Sequence, residues 1–220
     1  MMSHLRRALG FLLLLGFFTF PLGCEAMSVA KKAFPDKIKA EYAGLKGQSV
    51  GVMVWADRGI RIDYPSVQLD AATGVQNKLE AAQKEKVADL EGTTFPVKPD
   101  SIVRYQMDNP QIETMKLTDV APHLGVKRLI YVEITDFATR PHPGVELYRG
   151  SITGSIRAVE IAPDKTAKVV YEENDVHAIF PKKSPEDGVL MGDDYRMYVG
   201  VIDAFSNEVT KRFVEHEEEK

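Results

Sequence analysis

The chain has one cysteine, one tryptophan and five histidines in 220 residues, and it carries no excess of positive charge. A single cysteine excludes an intrachain disulfide, so the fold rests on its core. The histidines, His4, His123, His142, His177 and His216, are scattered without an H-x-x-x-H pair or a cysteine partner, and metal-ligand spacing is therefore missing. The formal charge is −4, and the first 23 residues hold Arg6 and Arg7 with no acid, so a chain without them carries −6. That balance excludes nucleic acid as the expected partner. The apolar stretch ALGFLLLLGFFTF, Ala8 to Phe20, is thirteen residues long and is followed by Pro21, too short for the ~20 residues of a permanent membrane span. Repeats at solenoid or propeller periods are lacking, and low complexity is confined to the short acidic tail.

What is present begins with a basic start, HLRR, then the apolar stretch, then PLGC. That is the layout of a secretory signal peptide over residues 1–23. Its end resembles a bacterial lipobox, with Leu22 and Gly23 directly before Cys24, although Pro21 stands where the family usually has leucine. The resemblance implies a lipoprotein acylated at Cys24, the lipid attachment site, and cut just before it. Each buried methylene contributes ~0.8 kcal/mol, so two or three acyl chains hold the protein at a membrane surface. Two other readings stay open: cleavage after Ala26 by ordinary signal peptidase, and a Cys24 that simply packs as a small buried hydrophobe.

Behind the anchor, residues 24–47 read as a stalk and a short helix, since Ile38, Tyr42 and Leu45 recur at helical spacing. A domain over 48–214 and an acidic tail at 215–220 complete the expected division. SVGVMVWAD is apolar on both alternating faces and reads as a strand buried in mid-sheet, with Trp55 as core. Val67, Ala71, Val75 and Leu79 form one helical stripe running on to Ala82. The proline-rich stretch that follows predicts irregular chain with short helices near 101–107 and 118–124, the second ended by Gly125.

From Lys127 the pattern is three strands, the last two joined by a Pro163–Thr166 hairpin turn. Along the middle strand Arg149, Ser151, Thr153, Ser155 and Arg157 form a wet face, while Gly150 and Gly154 fall on the packed face and signal a close helix or a bulge. The alternation shifts near Ala158 and Val159, as a bulge there would make it do. A long amphipathic helix from Asp193 carries Tyr198, Ile202, Phe205, Val209 and Phe213. The fold class is α/β: a single three-layer-like sandwich, a mixed sheet of about four strands with helices packed on it, in the order β-α-(α)-β-β-β-α.

LGVKRLIYVEITDF and SITGSIRAVEIAPDKTAKVVYEEN resemble the core of a group of bacterial envelope lipoproteins. The group includes the curli-export lipoprotein, the lipoprotein activators of penicillin-binding proteins and the amino-terminal domain of the Tol-system propeller protein. The resemblance covers about 48–214 and implies a periplasm-facing accessory protein that binds other envelope proteins; the expected location is the cell envelope, lipid-anchored, with the outer membrane favoured and the inner membrane left open. No catalytic residue carries over. The loops 140–144 and 163–166 are too short for pore-forming strands of ~9–11 residues.

Chemistry-bearing patterns are sparse. GSITG has its serine one place early for a nucleophile elbow, and GLKGQSVG lacks the Gly-Lys-Ser/Thr ending and precedes a strand, so it reads as a turn. The acids Glu186, Asp187, Asp193 and Asp194 lack an alternating calcium loop and suit a helix start. Neither catalytic, cofactor nor metal residues are assigned. The candidate binding residues are His142, in the RPHPG loop, and Arg149 and Arg157 on the wet strand face. The expected function is a lipid-anchored, non-enzymatic accessory module with an envelope protein partner. The alternatives are a self-assembling homo-oligomeric subunit and an envelope enzyme with an unfamiliar site.

Overall fold

The computed structural model describes residues 37–142, 144–190 and 192–217. Cys24, the leader and the stalk lie outside the described residues. The main compact unit spans Lys39 to His216; Lys37, Ile38 and Glu217 belong to a second unit with the chain ends.

The strand expected at SVGVMVWAD is β1, Val50–Ala56. It is followed by a short helix α1, Arg58–Asp63, and by the long α2, Val67–Lys84. Helix α2 buries Val67, Ala71, Val75 and Leu79 on one stripe, each burial of a valine or leucine stabilising by roughly 1.5–3 kcal/mol. The irregular stretch then supplies α3, Pro99–Asp108, a 3-10 turn at Pro110–Thr114, α4, Leu117–Val120, and a second 3-10 turn at Ala121–Leu124. Gly125 stops that turn in the left-handed region at φ 70°, where a Cβ would be strained. The remaining elements are β2, Arg128–Ala138, β3, Gly150–Ile161, β4, Ala167–Phe180, and α5, Asp194–Lys211.

The sheet order is β1-β2-β3-β4, with β1 and β2 parallel and the other pairs antiparallel. This is the mixed four-stranded α/β sandwich that the sequence pattern predicts. Helices α2 and α5 cover one face, over Val52, Val54, Ile130, Val132, Ile152 and Ile156. The other face carries a second core under α4 and the flanking 3-10 turns, built on Met53, Leu129, Val159 and Ile161. β1 can be apolar on both sides because both its faces are covered. Its outer edge is closed as well: the Val54 carbonyl accepts from Gln68 Nε2 at 2.9 Å and Gln106 Nε2 at 3.0 Å. The opposite edge strand, β4, carries Glu172, Glu173 and Asp175 instead, charges that discourage edge-to-edge pairing.

Three expectations need correction. Residues 39–48 form no helix. Tyr42 leans on Phe213 and Tyr171, and Leu45 is separately buried in the core, so the helical spacing there reflects two independent packing points. The register does shift at Ala158/Val159, but the extra residue is Val170 in β4. Ala158 faces one core and Val159 the other, so two adjacent apolar residues there mark a strand covered on both sides. Trp55 is not core: it sits half-buried at the margin of the second layer.

Candidate functional site

The second layer stops short, and the sheet beyond it is open. Register decides which side chains share that opening. Met53 pairs with Tyr131, Tyr131 with Arg157, and Arg157 with Glu172, giving one row across all four strands. Trp55 pairs with Glu133 and Glu133 with Ser155, giving a second row beside it.

Arg157 ties these rows together. Its Nε donates to Glu172 Oε1 at 2.8 Å, its Nη1 donates to Glu133 Oε2 at 3.4 Å, and the guanidinium lies 5.9 Å from the Tyr131 ring centroid. From α1, Arg61 lies 4.5 Å over the Trp55 ring and donates through Nη2 to Glu113 Oε1 at 2.8 Å. A cleft of about 150 Å³ opens here, lined by Trp55, Tyr131, Glu133 and Arg157 of the sheet and by Ile112, Glu113, Met115 and Leu117 of the second layer.

Burial, and after it the charge of Glu133, pushes the Tyr131 phenol above its ordinary range, so it stays a neutral hydroxyl. The hydrogen bond to Glu172, followed by an opposing effect of burial, leaves Arg157 more firmly protonated than usual. The cleft thus offers aromatic faces, thioether surface and fixed charges. Aromatic faces, sulfur and arginine are the groups enriched at the centre of protein interfaces.

The residues singled out from sequence do not converge. Arg157 lies in the cleft. Arg149 is eight residues back along an extended chain, roughly 25 Å away at ~3.3 Å per residue, so the single wet face expected around both arginines divides into two places. His142 is exposed in the loop between β2 and β3. Sequence reading missed Arg61, Glu113, Tyr131, Glu133 and Glu172. Alternation in RLIYVEITDF held a signal for Tyr131 and Glu133, but Arg61 and Glu113 come from irregular segments without one.

A second, wider cleft of about 470 Å³ lies at the carboxyl ends of β1 and β2, between Tyr64, Phe137, Arg140 and Asp194. The two acids at the start of α5 have separate tasks. Asp193 caps the helix by accepting from Arg196 N at 2.7 Å, whereas Asp194 accepts from Thr139 Oγ1 at 2.7 Å and Arg140 Nε at 2.8 Å. Arg140 holds the Asp194 carboxyl below the usual carboxylate range, with burial opposing. A depressed folded-state value contributes stability above the unfolded value of about 3.9, lost as pH falls through the folded value. The Asp194→Asn variant should therefore show a flatter decline of the urea midpoint than wild type between about pH 5 and 3. Parallel declines would remove this pair from the acid response.

No family model and no curated protein matches the chain. Among solved structures it is similar to the PelC dodecamer from Paraburkholderia phytofirmans, with a TM-score of 0.45 and 7% identity over 81% of this chain and 96% of that one. It is also similar to lipoprotein GNA1162 from Neisseria meningitidis, with a TM-score of 0.36 and 11% identity over 60% and 81% of the two chains. A third similar structure, the hypothetical protein CT253 from Chlamydia trachomatis, has a TM-score of 0.36 and 12% identity over 74% and 98%. Among the described residues no helix is long and apolar enough to cross a membrane.

Proposed function

We propose that this chain is a non-enzymatic accessory protein of the bacterial envelope, anchored through Cys24, that docks a protein partner on the open half of its sheet. The anchor rests on the leader sequence ending in PLGC. The docking face rests on one observation: Trp55, Tyr131 and Arg157 stand together on a sheet face that the second layer covers only in part, leaving each half-buried beside a cleft. Tryptophan, tyrosine and arginine are the residues that carry most interface energy when a partner excludes water from them. Met115, 41% exposed, lines the same cleft from the second layer and provides adaptable apolar surface.

The test is quantitative cross-linking in intact envelopes, comparing wild type with Trp55→Ala, Arg157→Ala and the loop control His142→Ala. Recovery of the specific partner should fall about tenfold or more for each of the first two, the scale of a hot-spot loss of ~1.4 kcal/mol or more, and stay at wild-type level for the third. Equal recovery by all four proteins, each shown to be folded, would sink the assignment of this face.

Self-assembly is the second reading. It is favoured by apolar side chains left in water at the start of α5: Tyr195 is 78% exposed, and Leu190, just before the helix, is 80% exposed. A sedimentation profile that stays monomeric at high concentration would argue against it.

A further inference from the structure

Six arginines of the domain are not fully exposed, and five of them are neutralised. Arg61 pairs with Glu113, Arg128 with Glu160, Arg140 with Asp194, Arg157 with Glu133 and Glu172, and Arg212 with Glu173. Arg149 is the sixth. Among the described residues its single hydrogen bond runs from Nη1 to the backbone oxygen of Glu186, at a long 3.4 Å. Its Nε is buried without a partner. Arg149 is half-buried, and an Nε that has lost water without gaining a partner is costly, so an anion at the guanidinium would compensate its charge.

The loop facing it has a matching deficiency. Ser184, two residues before Glu186, has a buried hydroxyl without a partner, and Lys183 beside it is exposed. This loop is held in place on both sides. Ser184 N donates to Pro181 O at 3.0 Å and Gly188 N to Pro185 O at 3.0 Å. Tyr148, next to Arg149, exchanges both backbone hydrogen bonds with Val189 at 2.9 Å. The backbone that carries these donors is thus fixed, so a ligand need order only their side chains. Glu186 and Asp187 are exposed on the same loop, and the contact from Glu186 to Arg149 uses its backbone, leaving the guanidinium uncompensated.

We propose that Arg149, Ser184 and Lys183 form an anion site that takes a phosphoryl group, with the guanidinium fork and the serine hydroxyl donating to its oxygens and the lysine ammonium adding charge. Arginine matches phosphate through parallel N–H donors, and lysine contributes as a point charge. The group comes either from free phosphate or from a phospholipid headgroup at the membrane surface. This site is separate from the docking cleft and stands or falls without it.

The test is calorimetric titration of the full chain, kept soluble in an uncharged detergent, with inorganic phosphate and with glycerophosphoglycerol, the water-soluble headgroup of phosphatidylglycerol. Wild type should bind at least one of the two saturably, and the tighter of them identifies the source. Arg149→Gln should weaken binding about tenfold or more and Ser184→Ala by a smaller factor, while Arg104→Gln, an exposed arginine on α3, should leave it unchanged. The proposal is overturned if wild type binds neither anion, or if Arg149→Gln binds like wild type. If Arg149→Gln fails to fold, Arg149→Lys decides: weakened binding supports the site, because lysine lacks the guanidinium fork, and undiminished binding overturns it.

Discussion

Gly154→Ala is expected to lower the unfolding free energy by about 3 kcal/mol, the upper end of what one extra methyl costs in a packed interior. Gly154 lies on β3 opposite Ile134, next to the point where β2 carries the extra residue Thr135 between Ile134 and Asp136. A Cβ built there would overlap the carbonyl oxygen of Glu133, and on its helix side it would meet Phe205 Cζ at 3.3 Å. A long side chain can swing aside, but a ladder carbonyl moves only if the two strands separate. That is why the cost belongs to backbone distortion and why shrinking Phe205 should not relieve it. Gly59→Ala is the matched control: it sits in α1 with nothing within 4 Å of the new methyl, and it should stabilise by about 0.5–1 kcal/mol through helix propensity. Urea denaturation of the three proteins checks both signs. A Gly154→Ala loss below about 1 kcal/mol would show that β2 and β3 part easily at the bulge.

The same glycine shows what could be read from the chain alone. Gly150 and Gly154 on the packed side of an alternating strand announce a close neighbour, and the neighbours are there: Val201 and the Met197 carbonyl approach Gly150, and Phe205 and the Glu133 carbonyl approach Gly154. Periodicity worked where one element faces one layer, as in α2, in α5 up to its end at Lys211, with Phe213 beyond it, and along β3 except at Ser155, which alternation put on the wet face and which is buried. It failed where coverage changes along an element. β1 is apolar throughout, so nothing in SVGVMVWAD distinguishes Met53, which the short helices cover, from Trp55, which they leave half-bare. The extent of that cover is set by irregular chain between residues 93 and 125, whose path has no period. The docking cleft was accordingly half legible: Arg157 from alternation, its partners Tyr131, Glu133 and Glu172 only from register, and Arg61 and Glu113 not at all. Alternation also placed Arg149 and Arg157 on one face correctly, yet a shared face over eight residues is too long to be one site. The stretch ending in PLGC, the most specific pattern of the sequence, carries the proposed anchor and leaves the domain's chemistry to the fold.

Phe205→Ala should cost about 4 kcal/mol, within the 3–5 kcal/mol seen when a buried phenylalanine is truncated. Phe205 is fully buried at the middle of α5, in the core that α2 and α5 form over the sheet. How much such a change costs depends on whether the walls can close on the space, since the lost contacts are recovered only by atoms that move in. Here the floor beneath the ring is glycine: Gly154 has no side chain to rotate into the void, and Gly150, four residues back along β3 beside Val201, has none either. The cavity should therefore persist, dry and apolar, and the cost should stay in the upper part of the range. For a domain of this size each kcal/mol shifts the melting temperature by about 2–4 °C, so a fall on the order of 10 °C is expected. A persistent apolar cavity binds small apolar molecules, and benzene should raise the melting temperature of Phe205→Ala while leaving wild type unchanged. A stability loss under about 2 kcal/mol together with no response to benzene would mean that the helix sinks onto the glycine floor and that the α5–β3 contact is not held by this ring.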